Sequence, residues 1–72
     1  MEIPIGKNIR RLRRKKEMTQ SELALLLGVS VQAVSKWERE CSYPDIALLL
    51  PIAELFDTTL DEIFGRSNVK TT

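Results

Sequence analysis

The chain has 72 residues, of which 43% are hydrophobic and 29% are charged, a balance typical of one small globular domain and not of a disordered segment. Its longest apolar run is far too short to span a membrane, and its first residues lack the pattern of a secretory signal. The single cysteine, Cys41, excludes an internal disulfide. We therefore expect a protein of the reducing cytoplasm, with no membrane partner.

The net charge of +1 is unevenly distributed along the chain. Residues 1–17 hold seven cations and two anions, and residues 18–72 hold four cations and eight anions, so the two parts carry +5 and −4. Charge segregated in this way suggests an anionic partner for one face of the fold, without identifying that partner.

The first predicted helix follows Ile3, with Pro4 at its first position, where the missing amide hydrogen is not needed. Ile5, Ile9 and Leu12 recur at helical spacing and predict a buried stripe. The cations around this stripe form like-charged pairs four residues apart, each of which costs roughly 0.2–0.5 kcal/mol of helix stability. This basic run is either a face that attracts a polyanion or a solvated helix surface, and the sequence leaves both open.

Two short predicted helices meet at Gly28, where a turn with positive φ costs glycine little. Thr19 and Glu22 have the pattern of a capping box that begins the first helix, and Ser30 is placed to cap the second. Two helix starts around one glycine stop predict a helix-turn-helix unit. The apolar positions of this unit are Leu23, Ala24, Leu27, Val29, Val34 and Trp37.

Leu25 and Leu26 fall outside the buried face of the first of these two helices. They either pack beneath a neighbouring segment or form an exposed apolar patch, which would be a contact surface for a partner. The sequence does not decide between these two arrangements.

A fourth predicted helix begins with Pro44 and Asp45. Pro51 lies within its apolar pattern, where it removes the hydrogen bond to the carbonyl of Ala47 and its ring clashes with that turn. The pattern therefore predicts either a kink at Pro51 or a short helical turn followed by a fresh helix that begins there.

The fifth predicted helix is short and has signals at both ends. Thr59 and Glu62 repeat the capping-box pattern, and Gly65 follows the last apolar position. We expect one domain over residues 1–66 and a disordered polar tail over residues 67–72.

The chain has no strand signals and no internal repeats, so the predicted fold is all-α, with five helices around one core. Trp37 shares a face with Val34, and we therefore assign it to the core and not to a stacking surface. The predicted core consists of Ile9, Leu12, Leu23, Ala24, Leu27, Val29, Val34, Trp37, Leu49, Leu50, Ala53, Phe56, Leu60 and Ile63.

The segment from Gln20 to Trp37 resembles the helix-turn-helix of lambda-repressor-like domains, the family of the phage repressor and Cro proteins and the bacterial XRE-type regulators. The resemblance also covers residues 5–13, 42–45 and 59–65, and only the two ends of the chain lie outside it. It implies the five-helix fold of that family, with the helix-turn-helix formed by the second and third helices. The positions that carry it are Gln20, Leu23, Ala24, Leu27, Gly28, Val29, Val34 and Trp37.

The resemblance implies a small transcriptional regulator, a repressor of bacterial or phage origin at the nucleoid, that binds double-stranded DNA with its third helix in the major groove. Gln32 can form two hydrogen bonds with adenine, Lys36 can donate to guanine, and Val31 can contact a thymine methyl group. The spacing of these residues predicts one exposed helix face. The base-reading residues would be Val31, Gln32, Ser35 and Lys36.

The resemblance also implies contacts to the DNA backbone, which set the register of the protein but carry no sequence information. Gln20 heads the second helix, where free amides and the helix dipole favour a phosphate. In the family, an arginine at the place of Arg13 pairs with a glutamate at the place of Glu38, which orients the third helix. The other phosphate-contacting positions would be Ser30, Arg39, Ser42 and Tyr43.

Family members usually form homodimers that read the two half-sites of a palindromic operator, about one helical turn apart. We expect the fifth helix and the flank at Arg66 to form such a contact, through Leu60 and Phe64.

Catalysis, cofactors, metal sites and small-molecule ligands have no support in the sequence. The chain contains no histidine, and Cys41 has no base partner. The competing hypothesis is a protein-interaction module on the same fold, such as an antitoxin or an adaptor that binds its partner through Leu25 and Leu26.

Overall fold

A computed structural model describes residues 3–65 of the chain, which form five α-helices and no strand. This confirms the all-α, five-helix fold that the sequence predicts. None of these helices is long and apolar enough to cross a membrane. Arg66 and the predicted polar tail lie outside the described residues. The helices are α1 (Ile5–Lys15), α2 (Gln20–Leu27), α3 (Val31–Glu38), α4 (Ile46–Leu55) and α5 (Leu60–Phe64).

The helix-turn-helix of α2 and α3 has the helix ends that the sequence predicts. The Thr19 hydroxyl accepts from the Glu22 amide at 3.0 Å, and the Glu22 carboxylate accepts from the Thr19 amide at 2.8 Å. Gly28 ends α2 with φ of 73°, in the left-handed region that glycine adopts at little cost. The Ser30 hydroxyl then caps α3 by accepting from the Ala33 amide at 3.1 Å. Local chemistry therefore fixes where both helices start.

The core lies where α1 packs against α3 and α5, and where α2 packs against α3. Most of the predicted core positions are buried, but Leu27 and Val29 are only partly buried. Ile52 is fully buried although it is absent from the predicted core. The buried apolar side chains are Ile5, Ile9, Leu12, Leu23, Ala24, Val34, Trp37, Ile52, Ala53, Phe56 and Ile63.

Helix α4 buries only part of the face that its sequence pattern predicts: Ala53 and, just after the helix, Phe56 are buried as predicted, but earlier positions are not. Leu50, a predicted core residue, is 57% exposed, and Ile46, the first residue of the helix, is 85% exposed. Leu49 is half-buried. Apolar residues occupy nearly every side of α4, so their spacing does not define one face, and the contacts with α2 and α5 select the side that contains Ile52.

Pro51 lies inside α4, which continues as one helix from Ile46 to Leu55. The predicted alternative of a fresh helix that begins at Pro51 is therefore wrong. Pro51 and Ala47 are both exposed, so water can bond the Ala47 carbonyl that lacks its helical partner.

Three other helix starts differ in detail from the prediction. Pro4 caps α1 and does not occupy its first position, and Asp45 precedes α4 without a side-chain capping bond. At α5, the Thr59 hydroxyl accepts from the Glu62 amide at 3.1 Å. The Glu62 carboxylate accepts from the Thr58 hydroxyl instead of the Thr59 amide, so the second capping box is only half formed.

Leu60 is another predicted core residue that the structure places at the surface, where it is 38% exposed. It lies in the first turn of α5, which has only five residues. A pattern this short does not determine which face of the helix is buried. Ile63 is fully buried, as predicted.

The start of α1 is fastened to the end of α3 by two contacts that local sequence patterns do not reveal. An ideal Cβ at Gly6 would lie 1.6 Å from the carbonyl oxygen of Trp37, so only glycine permits this approach. The Glu40 carboxylate accepts from the Lys7 amide at 2.9 Å. Glu40 thereby supplies the capping bond that Pro4 lacks, and both contacts position the third helix.

Candidate nucleic-acid interface

Helix α3 stands on the surface with one face in the core and the other in solvent. Val34 and Trp37 are buried, whereas Gln32 and Lys36 are exposed. Val31 is also exposed, at the N-terminal end of the helix. No described part of the chain covers this outer face. The polar side chains on this face are therefore accessible to a partner.

Ser35 differs from the other three predicted base-reading residues, because it is half-buried. Its hydroxyl accepts a hydrogen bond from Nε of Arg39 at 3.2 Å. The hydroxyl keeps its own hydrogen as a donor, so Ser35 can still contact a base or a phosphate. The bond also holds the Arg39 side chain beside the exposed face of α3.

A buried carboxylate joins the first three helices. Arg13 donates to Glu38 through Nε at 2.7 Å and through Nη2 at 3.0 Å, which is a bidentate pair of the strong kind. The Gln20 carboxamide donates to the same carboxylate at 3.0 Å. Arg13 also donates through Nη1 to the carbonyl of Met18 at 2.7 Å, just before α2 begins. The structure thus places Arg13 and Glu38 in contact, with Gln20 beside them.

The hydrogen bond to Glu38 is the main cause that raises the pKa of Arg13 above its ordinary value. Burial acts in the opposite direction, and the negative charge of Glu38 adds to the increase. The guanidinium therefore stays charged, and its charge is compensated inside the protein.

Gln20 begins α2 and is partly buried between Glu38 and solvent. Its carboxamide nitrogen has two hydrogens, and the bond to Glu38 uses one of them. The second hydrogen and the backbone amide at the helix start remain suitable donors to a phosphate. The bond to Glu38 fixes the side chain in place before any partner arrives.

The remaining predicted phosphate-contacting residues surround both ends of α3. Ser30 is exposed, and its hydroxyl retains a donor hydrogen while it caps the helix. Ser42 and Tyr43 are exposed in the loop after α3. The Tyr43 hydroxyl accepts from the Ile3 amide at 3.4 Å, so this loop also contacts the beginning of the chain.

An open cleft of about 340 Å³ adjoins the exposed face of α3 and extends to the surface of α1. Arg10 and Arg14 contribute to it; the sequence places them in the basic run, whose role it leaves open, and does not name them among the site residues. The signal available in the sequence is their spacing of four residues, which places both on one side of α1. The cleft is lined by Arg10, Arg13, Arg14, Gln20, Ser35, Glu38 and Arg39.

The helix-turn-helix family model matches residues 9–63 of this chain, and the chain belongs to that family. Its fold and its helix-turn-helix are those of the lambda-repressor-like, XRE-type domains, as the resemblance in the sequence implies. The match includes α2, α3 and the hydrogen-bonded residues Arg13, Gln20 and Glu38, so it includes most of the interface described above.

Curated relatives and solved structures agree with this assignment. The chain is 38% identical over 61 residues to the HTH-type transcriptional regulator AnsR of Bacillus subtilis, covering 85% of this chain and 53% of AnsR. It is 37% identical over 66 residues to the HTH-type transcriptional activator BcrR of Enterococcus faecalis, covering 92% of this chain and 32% of BcrR. The chain thus spans between a third and about half of the length of these relatives.

The P22 c2 repressor in complex with the synthetic operator 9T has a similar fold. Its TM-score is 0.80 at 29% identity, and the match covers 90% of this chain and 97% of the repressor chain. The similarity therefore extends over nearly all of both chains.

Proposed function

We propose that this protein binds double-stranded DNA sequence-specifically and regulates transcription in the bacterial cytoplasm, with α3 in the major groove. The main observation is the solvent-facing side of α3, where Gln32 and Lys36 are exposed while Val34 and Trp37 hold the helix in the core. A helix of this kind fits the major groove, where each base pair presents a distinct set of donors and acceptors. The operator in the P22 c2 complex and the regulator names of AnsR and BcrR support this function. Action as a repressor, and not as an activator, stays a prediction.

Each base-reading side chain has a specific chemistry. The Gln32 carboxamide matches the donor and acceptor pair of adenine, and the Lys36 ammonium matches the acceptors O6 and N7 of guanine. Val31 offers a methyl surface for thymine. Gln20 would instead contact a phosphate, so it would contribute affinity without sequence preference. This function requires no catalysis and no cofactor.

The proposal is tested by selecting bound sites from a random duplex pool with the wild-type chain and with Gln32→Ala and Gln20→Ala. Gln32→Ala should relax the preference at one base pair by about 1–3 kcal/mol, because a bidentate pair discriminates by that amount. Gln20→Ala should weaken binding to all sites alike. Selection of an unchanged sequence by Gln32→Ala would contradict the assignment of the reading face.

Gln20→Ala needs a stability control, because Gln20 also donates to Glu38. Urea unfolding of both variants separates a lost DNA contact from a lost internal bond. A wild-type chain that fails to bind any duplex in dilute buffer would refute the proposed function itself.

A second candidate function is a protein-interaction module, which the surface of α2 favours. Leu25 is 80% exposed and Leu26 is 59% exposed, so neither packs beneath a neighbouring segment among the described residues. Titration of binding to random duplex with salt separates the two functions. A phosphate-binding protein loses affinity steeply as salt rises, whereas an adaptor binds little DNA at any salt concentration.

We also propose that two copies bind a palindromic operator. Leu60, exposed at the start of α5, is available for a contact between copies, together with the partly buried Phe64. The general geometry of helix-turn-helix proteins supports this arrangement, since one helix reads only a few base pairs and dimers reach two half-sites about one helical turn apart.

A further inference from the structure

The cations of α1 form two rows that face different surroundings. Arg10 and Arg14 are four residues apart and line the cleft beside α3. Arg11 and Lys15 have the same spacing but do not line this cleft; Lys15 instead lines a separate cavity formed with the turn after α4. A helix rotates by about 100° per residue, so the two rows point in different directions. Only one row of the basic run therefore faces the proposed DNA-binding surface.

The charges in the cleft are strongly unbalanced. Arg13 and Glu38 form the floor, where their side chains are almost fully buried and compensate each other. Arg10, Arg14 and Arg39 are exposed, and within residues 3–65 no carboxylate lies within salt-bridge distance of these three. Three unpaired guanidinium groups around an opening of about 340 Å³ make a site for an anion that has several acceptor oxygens.

We propose that Arg10 and Arg14 bind a backbone phosphate of the duplex whose major groove α3 enters, an inference that rests on the proposed function. The cleft also includes Ser35, on the reading face of α3, and Gln20, at the start of α2. A phosphodiester held there would lie next to the base-reading residues. This is the expected position, because the DNA backbone borders the groove that α3 would enter. Arg39, held by Ser35, completes the set of donors around this phosphate.

The spacing of Arg10 and Arg14 has a cost in the free protein that a bound phosphate would reduce. Like charges at this spacing repel and weaken a helix. A bound phosphate relieves that repulsion, because its negative charge lies between the two guanidinium groups. Phosphate contacts of this type add affinity at every sequence and release counterions from DNA.

The test compares two double variants, Arg10→Ala with Arg14→Ala and, as the matched control, Arg11→Ala with Lys15→Ala. Both pairs lie on α1 at the same spacing, and each removes two positive charges. Binding to a selected site and to random duplex is measured between 50 and 200 mM salt. The slope of log K against log salt should decrease in magnitude by about 1.8 for the first pair, since each phosphate contact contributes about 0.9.

The control pair should change that slope by less than half as much, because its effect comes only from charge at a distance. The first pair should therefore lose about tenfold less of its affinity over this salt range than the wild-type chain does. It should also select the same sequence as the wild-type chain. Equal slope changes in both pairs, or an unchanged slope in the first pair, would overturn the proposal while leaving DNA binding itself intact.

A second measurement distinguishes DNA phosphate from a free anion. Thermal unfolding of the wild-type chain without DNA is compared in inorganic phosphate and in chloride at equal ionic strength. Phosphate stabilises folded proteins in general, so we expect it to raise the melting temperature of the wild-type chain and of the Arg10→Ala, Arg14→Ala variant by the same amount. A larger increase in the wild-type chain than in the variant would show a cleft built for a small anion and would overturn the assignment to the duplex.

Discussion

Gly6 decides how closely α1 approaches the end of α3, and that approach sets the position of the reading helix. The Trp37 carbonyl occupies the space that a side chain at residue 6 would need. Nothing in the local sequence reveals this, because a glycine inside a helix pattern is ordinarily only a weak point. The reason for the glycine lies on another helix, and only the tertiary fold displays it.

Gly6→Ala is expected to lower the free energy of unfolding by about 2 kcal/mol or more, although alanine favours the helix itself by about 1 kcal/mol. The added Cβ would lie 1.6 Å from a backbone oxygen, which cannot move without shifting α3. Urea unfolding measures the change, with the exposed neighbour variant Lys7→Ala as the control. A stability equal to that of the control would show that the two helices are farther apart than described.

The ion pair of Arg13 and Glu38 stabilises the folded site over a wide pH range. Because the pKa of Arg13 is raised, the stabilisation from that shift is fully present below the ordinary pKa of arginine. It is lost only as pH rises through the raised value, so it is constant at all pH values suited to DNA binding. The sequence alone gives no reason to pair these residues, which are 25 positions apart; the resemblance to a family does.

At the scale of elements, α2 and α3 were predictable, whereas the inner face of α4 was predictable only near its C-terminal end, at Ala53 and Phe56. Thr19, Gly28 and Ser30 mark helix ends through bonds within a few residues, so the pattern is readable without the fold. In α4, leucines and isoleucines occupy most sides, and the core selects Ile52 while Ile46 remains in solvent. Which side is buried depends on where α2 and α5 lie, and spacing cannot supply that information.

Pro51→Ala is expected to raise the free energy of unfolding by about 1–3 kcal/mol. Pro51 is exposed in the middle of α4, and alanine would restore the amide that can donate to the Ala47 carbonyl. Urea unfolding provides the measurement, and Glu54→Ala, exposed in the same helix, should change stability by less than about 0.5 kcal/mol. A loss of stability in Pro51→Ala would indicate that the fixed φ of proline contributes more to α4 than the missing hydrogen bond costs.

At the scale of the whole molecule, the sequence shows a basic N-terminal segment but does not show which of its cations lie beside α3. The fold makes that division, because it packs Ile5, Ile9 and Leu12 inward and so fixes the rotation of α1. Arg10 and Arg14 then lie beside α3. Composition suggested an anionic partner, and geometry selects the surface that would meet it.

An exposed apolar side chain has a different effect on the protein when two copies of the chain meet through it in a symmetric dimer. In a two-fold dimer, each substitution at the contact is present twice, so Leu60 would affect pairing more than its partial exposure suggests. The equally apolar Leu25 is more exposed but lies on α2, away from the predicted contact on α5. The two leucines therefore form a matched pair for testing where copies meet.

Sedimentation of the wild-type chain with a palindromic duplex should give two chains per duplex. Leu60→Glu should weaken occupancy of the second half-site by about tenfold, because it places charge where apolar area would be buried. Leu25→Glu should leave that occupancy unchanged. One chain on a palindromic duplex would contradict the dimer, and equal weakening by both substitutions would contradict a contact between copies that is confined to α5.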